Sequence, residues 1–170
     1  MKKELESPFH GAVGESAAFR HVLEVASKIA AYDVPVLIEG EAGTGKEWLA
    51  RAIHFASPRA KRDFIVVDCA GFSDLFFESE LFGYVRGSFA GAIHDKKGLL
   101  ELADGGTLFF DRVGTLKPAL QSKLARLLKD GTFYKIGGIS QIRVHVRFIA
   151  STGVDLKTLG ESIVGFNEVI

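Results

Sequence analysis

The sequence has a single cysteine, no net charge and no long apolar segment. Cys69 is the one cysteine among 170 residues, which excludes an intrachain disulfide and a cysteine-cluster metal site. Basic and acidic residues balance at 21 each, so only a local basic patch could favour nucleic acid or an anionic membrane. No apolar run approaches the length of a membrane span, and no apolar stretch follows the first lysines, as a signal peptide requires. We therefore expect a cytoplasmic protein without a membrane partner.

Apolar residues are plentiful, at 47% of the chain, and their pattern predicts an α/β fold. Helical spacing predicts helices that begin at Ser16, at Lys46, near Ser73 and at Pro118. Short apolar runs predict strands at residues 34–38, 64–67, 106–110 and 146–150, and glycines 131, 137 and 138 predict a hairpin. Strands of this kind, separated by helices, indicate a parallel sheet sandwiched by helices. We interpret residues 1–13 as a lead-in and residues 14–170 as one domain.

A glycine-rich segment follows the first predicted strand. It reads Gly40-Glu41-Ala42-Gly43-Thr44-Gly45-Lys46-Glu47, with the Gly-x4-Gly-Lys spacing of a P-loop. Glycines let backbone N–H groups turn toward phosphate oxygens, the helix N-terminus adds positive potential, and Lys46 can reach the β- and γ-phosphates. The general motif has Ser or Thr, a Mg²⁺ ligand, where this chain has Glu47. We expect this phosphate loop, residues 40–47, to bind ATP or ADP; an incidental glycine-rich turn is the alternative.

The chain resembles the sigma-54-interaction AAA+ domain of bacterial transcription activators from about residue 14 onward. That family writes its phosphate loop as GESGTGKE, so Glu47 agrees with it and Ala42 is a small departure. Other similar strings are Ala50-Arg51-Ala52-Ile53-His54, Cys69-Ala70, Glu78-Ser79-Glu80-Leu81-Phe82-Gly83 and Glu101-Leu102-Ala103-Asp104-Gly105-Gly106-Thr107-Leu108-Phe109. The resemblance implies an AAA+ P-loop NTPase large subdomain, here without the family's helical lid subdomain. It also implies ATP, Mg²⁺ and a ring-shaped homo- or hetero-oligomer that remodels sigma-54 RNA polymerase.

The family contacts its substrate through a loop that reads GAFTGA. The corresponding residues here are Gly87-Ser88-Phe89-Ala90-Gly91-Ala92, and the resemblance implies that this contact loop, residues 87–92, touches sigma-54 RNA polymerase. Ala90 lacks the hydroxyl of the family's threonine, so we expect a weakened contact and no activation of transcription by this chain alone. For Phe89 the alternative is a side chain that only packs on its own domain.

Three positions that serve ATP hydrolysis in the family are substituted. The resemblance assigns Asp111 to Mg²⁺, held through a water shell, but the catalytic glutamate that should follow it is Arg112. A guanidinium stays protonated and cannot act as a base. Gly153 replaces the sensor-one asparagine, and Asn167 replaces the first arginine of the arginine-finger string. We therefore expect no intact catalytic residue and impaired hydrolysis.

A new ion pair is predicted at one of these positions. In the family the catalytic glutamate can swing to an asparagine just before the cysteine, and the matching residue here is Asp68. Because Asp68 and Arg112 have opposite charges and would leave the ends of adjacent strands at the same sheet edge, we predict a two-pronged hydrogen-bonded pair with side-chain atoms within about 4 Å of each other. Such a pair would fix the side chain at position 112, where the family has a glutamate that moves during catalysis. It would also place a permanent cation near the γ-phosphate site. The alternative is that both residues face solvent and changed independently.

Three functions remain open at this point. The chain could be a regulatory module that binds ATP or ADP and associates with related activators or with the transcription machinery. It could be a weak ATPase within a mixed AAA+ ring, or a non-functional fragment of a decayed activator. No DNA-binding region is recognisable in the sequence. We interpret Cys69 and the five histidines as packing or surface residues, because their spacing fits no metal site.

Overall fold

The computed structural model describes residues 8–12, 14, 16–71 and 73–153. In chain order these residues form α1 (Ala17–Ala30), β1 (Val36–Glu39), α2 (Lys46–Phe55), β2 (Phe64–Asp68), α3 (Asp74–Phe82), β3 (Gly83–Tyr84), β4 (Lys96–Lys97), α4 (Leu99–Leu102), β5 (Thr107–Asp111), a 3₁₀ turn (Val113–Thr115), α5 (Pro118–Asp130), β6 (Thr132–Tyr134), β7 (Gln141–Arg143) and β8 (Arg147–Thr152).

Four parallel strands form the central sheet, in the spatial order β1-β8-β5-β2. Helices cover both faces, and each face buries its own apolar cluster. Along β5, Phe109 belongs to the cluster under α1 and α2, whereas Leu108 and Phe110 belong to the cluster under α3 and α5, because successive side chains of a strand point to opposite faces. The predicted α/β fold with a sandwiched parallel sheet is confirmed.

The helices begin where local sequence signals place them. Ser16 accepts a hydrogen bond from the Phe19 N–H at 3.1 Å and caps α1. Ser73 caps α3 in the same way, with the Phe76 N–H at 3.4 Å. Pro118 occupies the start of α5, where its missing N–H costs nothing. These starts agree with the sequence-based predictions.

Two small antiparallel pairs lie beside the central sheet. β6 pairs with β7, which is the hairpin that the glycines predict, and β3 pairs with β4, which was not predicted. The Val85 N–H donates to the Ile136 carbonyl at 3.1 Å, and the Ile136 N–H donates to the Gly83 carbonyl at 3.0 Å. These bonds join the chain after β6 to β3. Within the described ranges, no helix is both long and apolar enough to span a membrane.

Candidate nucleotide-binding site

The carboxyl ends of the four parallel strands meet at one edge of the sheet. In the strand register Ile38 stands beside Ser151, and Asp68 stands beside Asp111. Ser151 also hydrogen-bonds Asp111, so these residues form one row across the sheet. In open α/β sheets, ligands bind outside the carboxyl ends of the strands. The phosphate loop leaves the end of β1, and it therefore shares this edge with two carboxylates.

The backbone of the phosphate loop forms a tight cradle. Gly43 and Gly45 have φ angles of 80° and 85°, in the left-handed region that favours glycine. A Cβ on Gly40 would lie 2.9 Å from the Thr44 hydroxyl oxygen, so the curled loop leaves little space for a side chain there. The Gly40 N–H donates to the Thr152 carbonyl at 3.1 Å, which ties the loop to β8. Because the first N–H groups of a helix have no helical acceptors, the start of α2 beside this cradle suits a phosphate group.

Two charged side chains at the start of α2 have different surroundings. The Lys46 ammonium donates to the carbonyl oxygens of Gly40 and Glu41 at 2.7 and 2.6 Å, so it lies over the phosphate loop. Glu47 forms an ion pair with Arg51, one helical turn along, with 2.7 Å between Oε1 and Nη2. This pair lies on the exposed side of α2. The geometry therefore places Lys46 at the loop and Glu47 beside Arg51.

Asp111 is held by Ser151, a residue for which the sequence predicts no role. The Ser151 hydroxyl donates to Oδ1 of Asp111, and its oxygen accepts the Arg112 N–H at 3.0 Å. Ser151 is fully buried, so little competing water reaches these bonds. The available signal was a serine directly after the apolar residues Phe148, Ile149 and Ala150.

The predicted ion pair between Asp68 and Arg112 is confirmed, but its two-pronged geometry is not, because one hydrogen bond joins the two side chains. Nη2 of Arg112 donates to Oδ2 of Asp68, and Nε of Arg112 lies 3.8 Å from Oδ2 of Asp111. The other Asp68 oxygen accepts the Ala70 N–H at 2.9 Å. The Arg112 and Asp68 side chains are 49% and 44% exposed, so water reaches a pair that is nevertheless formed. Both side chains therefore face solvent in part, as the alternative expects, but they are in contact with each other.

Of the other two substituted positions, Gly153 lies within the described residues and Asn167 does not. A Cβ on Gly153 would lie 3.8 Å from the Gly40 carbonyl oxygen, an ordinary contact distance, so a side chain at this position would border the phosphate loop. Glycine brings no polar side chain there. Asn167 lies outside the described residues, and its role stays a prediction.

The contact loop is closed on itself and packs on its own domain. The Gly87 N–H donates to the Ala92 carbonyl at 2.7 Å, and the Ala92 N–H donates to the Phe89 carbonyl at 3.0 Å. The Phe89 ring meets the Tyr84 ring edge-on, with 5.0 Å between centroids, whereas Ala90 is exposed. Phe89 therefore contacts its own domain, and Gly87, Ala90 and Gly91 are the exposed residues of the loop. A contact of this loop with sigma-54 RNA polymerase stays a prediction.

Cys69 and His54 are buried packing residues. Burial, with a smaller contribution from the carboxylates of Asp68 and Asp111, raises the pKa of the Cys69 thiol far above its usual range, which does not suit a nucleophile. His54 is fully buried, with Nδ1 at 2.9 Å from the Thr107 hydroxyl oxygen, and burial lowers its pKa. In the part of the chain that the structure describes, no group of three or more His, Cys, Asp or Glu residues could hold a metal ion.

Comparison with known proteins gives a consistent set of similarities. The family described as "Sigma-54 interaction domain" matches residues 12–163. The Nif-specific regulatory protein of Rhodobacter capsulatus is 51% identical over 147 residues, which are 86% of this chain and 25% of that protein. The hydrogenase transcriptional regulatory protein HoxA of Cupriavidus necator is 51% identical over 137 residues, which are 81% of this chain and 28% of that protein. The chain thus spans about a quarter of the length of these curated relatives.

A solved structure shares the fold. NtrX from Brucella abortus in complex with ATP has a TM-score of 0.78 and 31% sequence identity, and the match covers 95% of this chain and 38% of that one. Structures of this kind confirm the predicted AAA+ P-loop fold class.

Proposed function

Because the chain belongs to the sigma-54 interaction domain family, we propose that it binds ATP and ADP, hydrolyses ATP poorly and takes part in regulating transcription. One observation carries the nucleotide part of this proposal. The phosphate loop curls at the end of β1, with the Lys46 ammonium over it, at the same sheet edge as Asp111. The similar protein NtrX forms a complex with ATP, which supports the same role for this loop.

The surroundings of Asp111 support impaired hydrolysis. Attack by water needs a positioned base, and the residue next to Asp111 is a guanidinium that binds Asp68. Losing such a base lowers a rate by about 10²- to 10⁴-fold. Gly153, where a Cβ would border the loop, supplies no side-chain amide to the phosphates. Two groups that assist hydrolysis in the family, the base at position 112 and the side-chain amide at position 153, are therefore replaced at this edge of the sheet.

The donor set at this edge fits Mg²⁺ that is held mainly by phosphate and water. Proteins usually supply only one or two carboxylates to such a metal ion, and Asp111 is oriented at the strand end by Ser151. The positive charge of Arg112, with Nε 3.8 Å from Asp111, opposes a direct bond from Asp111 to a cation. We propose that Asp111 supports Mg²⁺ through water, and the metal would neutralise phosphate charge when bound.

The folded contact loop supports a partner role besides nucleotide binding. Its closed backbone presents Ala90 outward, and the family's function suggests sigma-54 RNA polymerase as the partner and an AAA+ ring as the assembly. Ala90 lacks a hydroxyl, so this contact is weakened. A second candidate function is a weak ATPase in a mixed ring, because the phosphate loop and Asp111 are in place while other subunits could supply the missing groups.

Isothermal titration calorimetry with Mg-ATP and Mg-ADP tests nucleotide binding. The unchanged chain should bind both, and Lys46→Ala should abolish binding because it removes the cation over the phosphate loop. Lys28→Ala is the matched control, since Lys28 is 73% exposed and pairs only locally with Glu24. A folded sample that binds neither nucleotide at millimolar concentration would contradict the proposal.

Phosphate release separates the two candidate functions. The chain alone should release little phosphate from ATP, and addition of an active relative should not raise the release attributable to this chain. A Lys46→Ala variant mixed with the same relative provides the baseline. If the mixture with the unchanged chain exceeds that baseline in proportion to the added chain, the mixed-ring ATPase is the better description.

A further inference from the structure

Arg112 follows β5 at the same edge of the sheet where the phosphate loop leaves β1. β8 alone separates β5 from β1, so the end of β5 is about 10 Å from the end of β1, which is two strand spacings. Gly153 follows β8, and a Cβ there would lie 3.8 Å from the Gly40 carbonyl oxygen, but glycine carries no side chain. No side chain at position 153 therefore stands between Arg112 and the phosphate loop.

The backbone of Arg112 is fixed while its side chain is accessible. Its N–H donates to the buried Ser151 at 3.0 Å, and its carbonyl accepts the Thr115 hydroxyl at 2.8 Å. Its φ of 60° lies in the left-handed region, and no other non-glycine residue among those described has a positive φ. Such a conformation is unfavourable for a residue with a side chain and persists where neighbours enforce it. The root of the side chain is therefore held, and the guanidinium, about half exposed, can change partners.

The present partners of the guanidinium are both carboxylates. Asp68 binds one nitrogen group, and Asp111 lies 3.8 Å from another. An exposed pair of this kind is weak. A terminal phosphate has more charge and three acceptor oxygens, and arginine binds it through paired hydrogen bonds. A phosphate within reach would therefore compete with Asp68 for the same guanidinium.

We propose that Arg112 is a ligand of the terminal phosphate of ATP, that it leaves Asp68 when ATP binds, and that it makes the domain prefer ATP over ADP. ADP ends at the β-phosphate, which the phosphate loop and Lys46 hold, so Arg112 stays with Asp68. Asp68 then acts as a competing anion that sets how strongly ATP is preferred. This inference rests on the proposed nucleotide binding and adds a residue that discriminates between the two nucleotides.

Calorimetric titrations with ADP and with the β,γ-imido analogue of ATP, both with Mg²⁺, test the inference. Arg112→Ala should weaken binding of the ATP analogue by about tenfold or more and change ADP binding by less than about twofold. Asp68→Asn should strengthen binding of the ATP analogue by about two- to fivefold, because asparagine can still accept the Ala70 N–H but no longer holds the guanidinium by charge. Arg126→Ala is the matched control, since Arg126 also pairs with an aspartate, Asp130, on an exposed helix face.

The outcomes separate this inference from the proposed function. If the unchanged chain binds neither nucleotide, the proposed function fails and the inference fails with it. If it binds both, but Arg112→Ala weakens both equally or neither, the inference alone is overturned, and the pair with Asp68 is a static contact. Thermal unfolding of each variant checks the fold. Arg112→Gly, which accepts the left-handed backbone, replaces Arg112→Ala if that variant unfolds.

Discussion

Exchange of the Asp68–Arg112 pair for an Asn–Glu pair should restore ATP turnover only in part. The double variant Arg112→Glu with Asp68→Asn places a carboxylate where the structure has a guanidinium, at the end of β5. The backbone should tolerate it, because glutamate and arginine carry the same penalty at a φ of 60°. The amide oxygen introduced by Asp68→Asn can still accept the Ala70 N–H that Asp68 accepts at 2.9 Å.

The expected gain is about tenfold in the rate of phosphate release. A well-positioned base contributes about 10²- to 10⁴-fold, but groups that act together on one transition state give much less when their partners are missing. Gly153 brings no side-chain amide to the site, so the gain in rate should stay below the full contribution of a base. Adding Gly153→Asn should raise the rate by up to about another tenfold, because a Cβ there is 3.8 Å from the Gly40 carbonyl oxygen and fits without rearrangement.

A steady-state phosphate-release assay at saturating Mg-ATP measures these steps. The control is Arg126→Glu with Asp130→Asn, which makes the same charge changes in an ion pair on α5 and should leave turnover unchanged. Recovery to the rate of a fully active relative by the first two substitutions would mean that Gly153 and Asn167 do not limit the reaction. An unchanged rate in all variants would mean that position 112 does not face the attacking water.

Two further predictions concern stability. Burial lowers the pKa of His54 below its unfolded value of 6.5; below that pH the unfolded chain binds more protons, so stability should fall as pH falls through 6.5, by at most about 1.4 kcal/mol per pH unit. Urea unfolding at pH 7.5 and 5.5 should show a smaller loss in His54→Gln, and an equal loss would contradict this cause. Gly98→Ala should destabilise the domain by about 1–3 kcal/mol, because its Cβ would collide with the backbone of residues 81–83, at 2.5 Å from the Gly83 nitrogen. Thermal unfolding checks this, with Gly153→Ala as a control, because its Cβ would meet the Gly40 carbonyl oxygen at an ordinary 3.8 Å; equal midpoints would refute the prediction.

Elements with strong local signals were predictable from the sequence. Ser16, Ser73 and Pro118 mark helix starts through chemistry that acts within one turn, and the P-loop spacing places the cradle between β1 and α2. Strand limits were less predictable. β1 begins at Val36, not at residue 34, since Pro35 has no N–H to donate to a neighbouring strand. β8 continues to Thr152 because β1 beside it continues to Glu39.

The parts that depend on distant contacts were not predictable. β3 and β4 are two residues long each, too short for any periodic pattern. The role of Ser151 arises only when β8 lies beside β5. The contact between Asp68 and Arg112 was predictable because Asp68 ends β2, Arg112 follows β5, and the ends of adjacent parallel strands share an edge. The pairing of β2 with β5 brings the two residues together. In contrast, the left-handed backbone of Arg112 had no signal in the sequence.

Backbone bonds of Gly83 and Val85 with Ile136 connect two surface loops, the contact loop and the turn of the β6–β7 hairpin. Val85 and Ile136 each donate one bond across this junction, and a Cβ on Gly137 would lie 2.5 Å from the Cβ of Ser88, so the start of the contact loop and the turn of the β6–β7 hairpin are in close contact. If one of these hydrogen bonds breaks, the two backbone segments separate and the other bond is lost as well. The amide protons of Val85 and Ile136 should therefore exchange with solvent as one cooperative unit. A ligand that slows exchange at one loop should therefore slow it at the other.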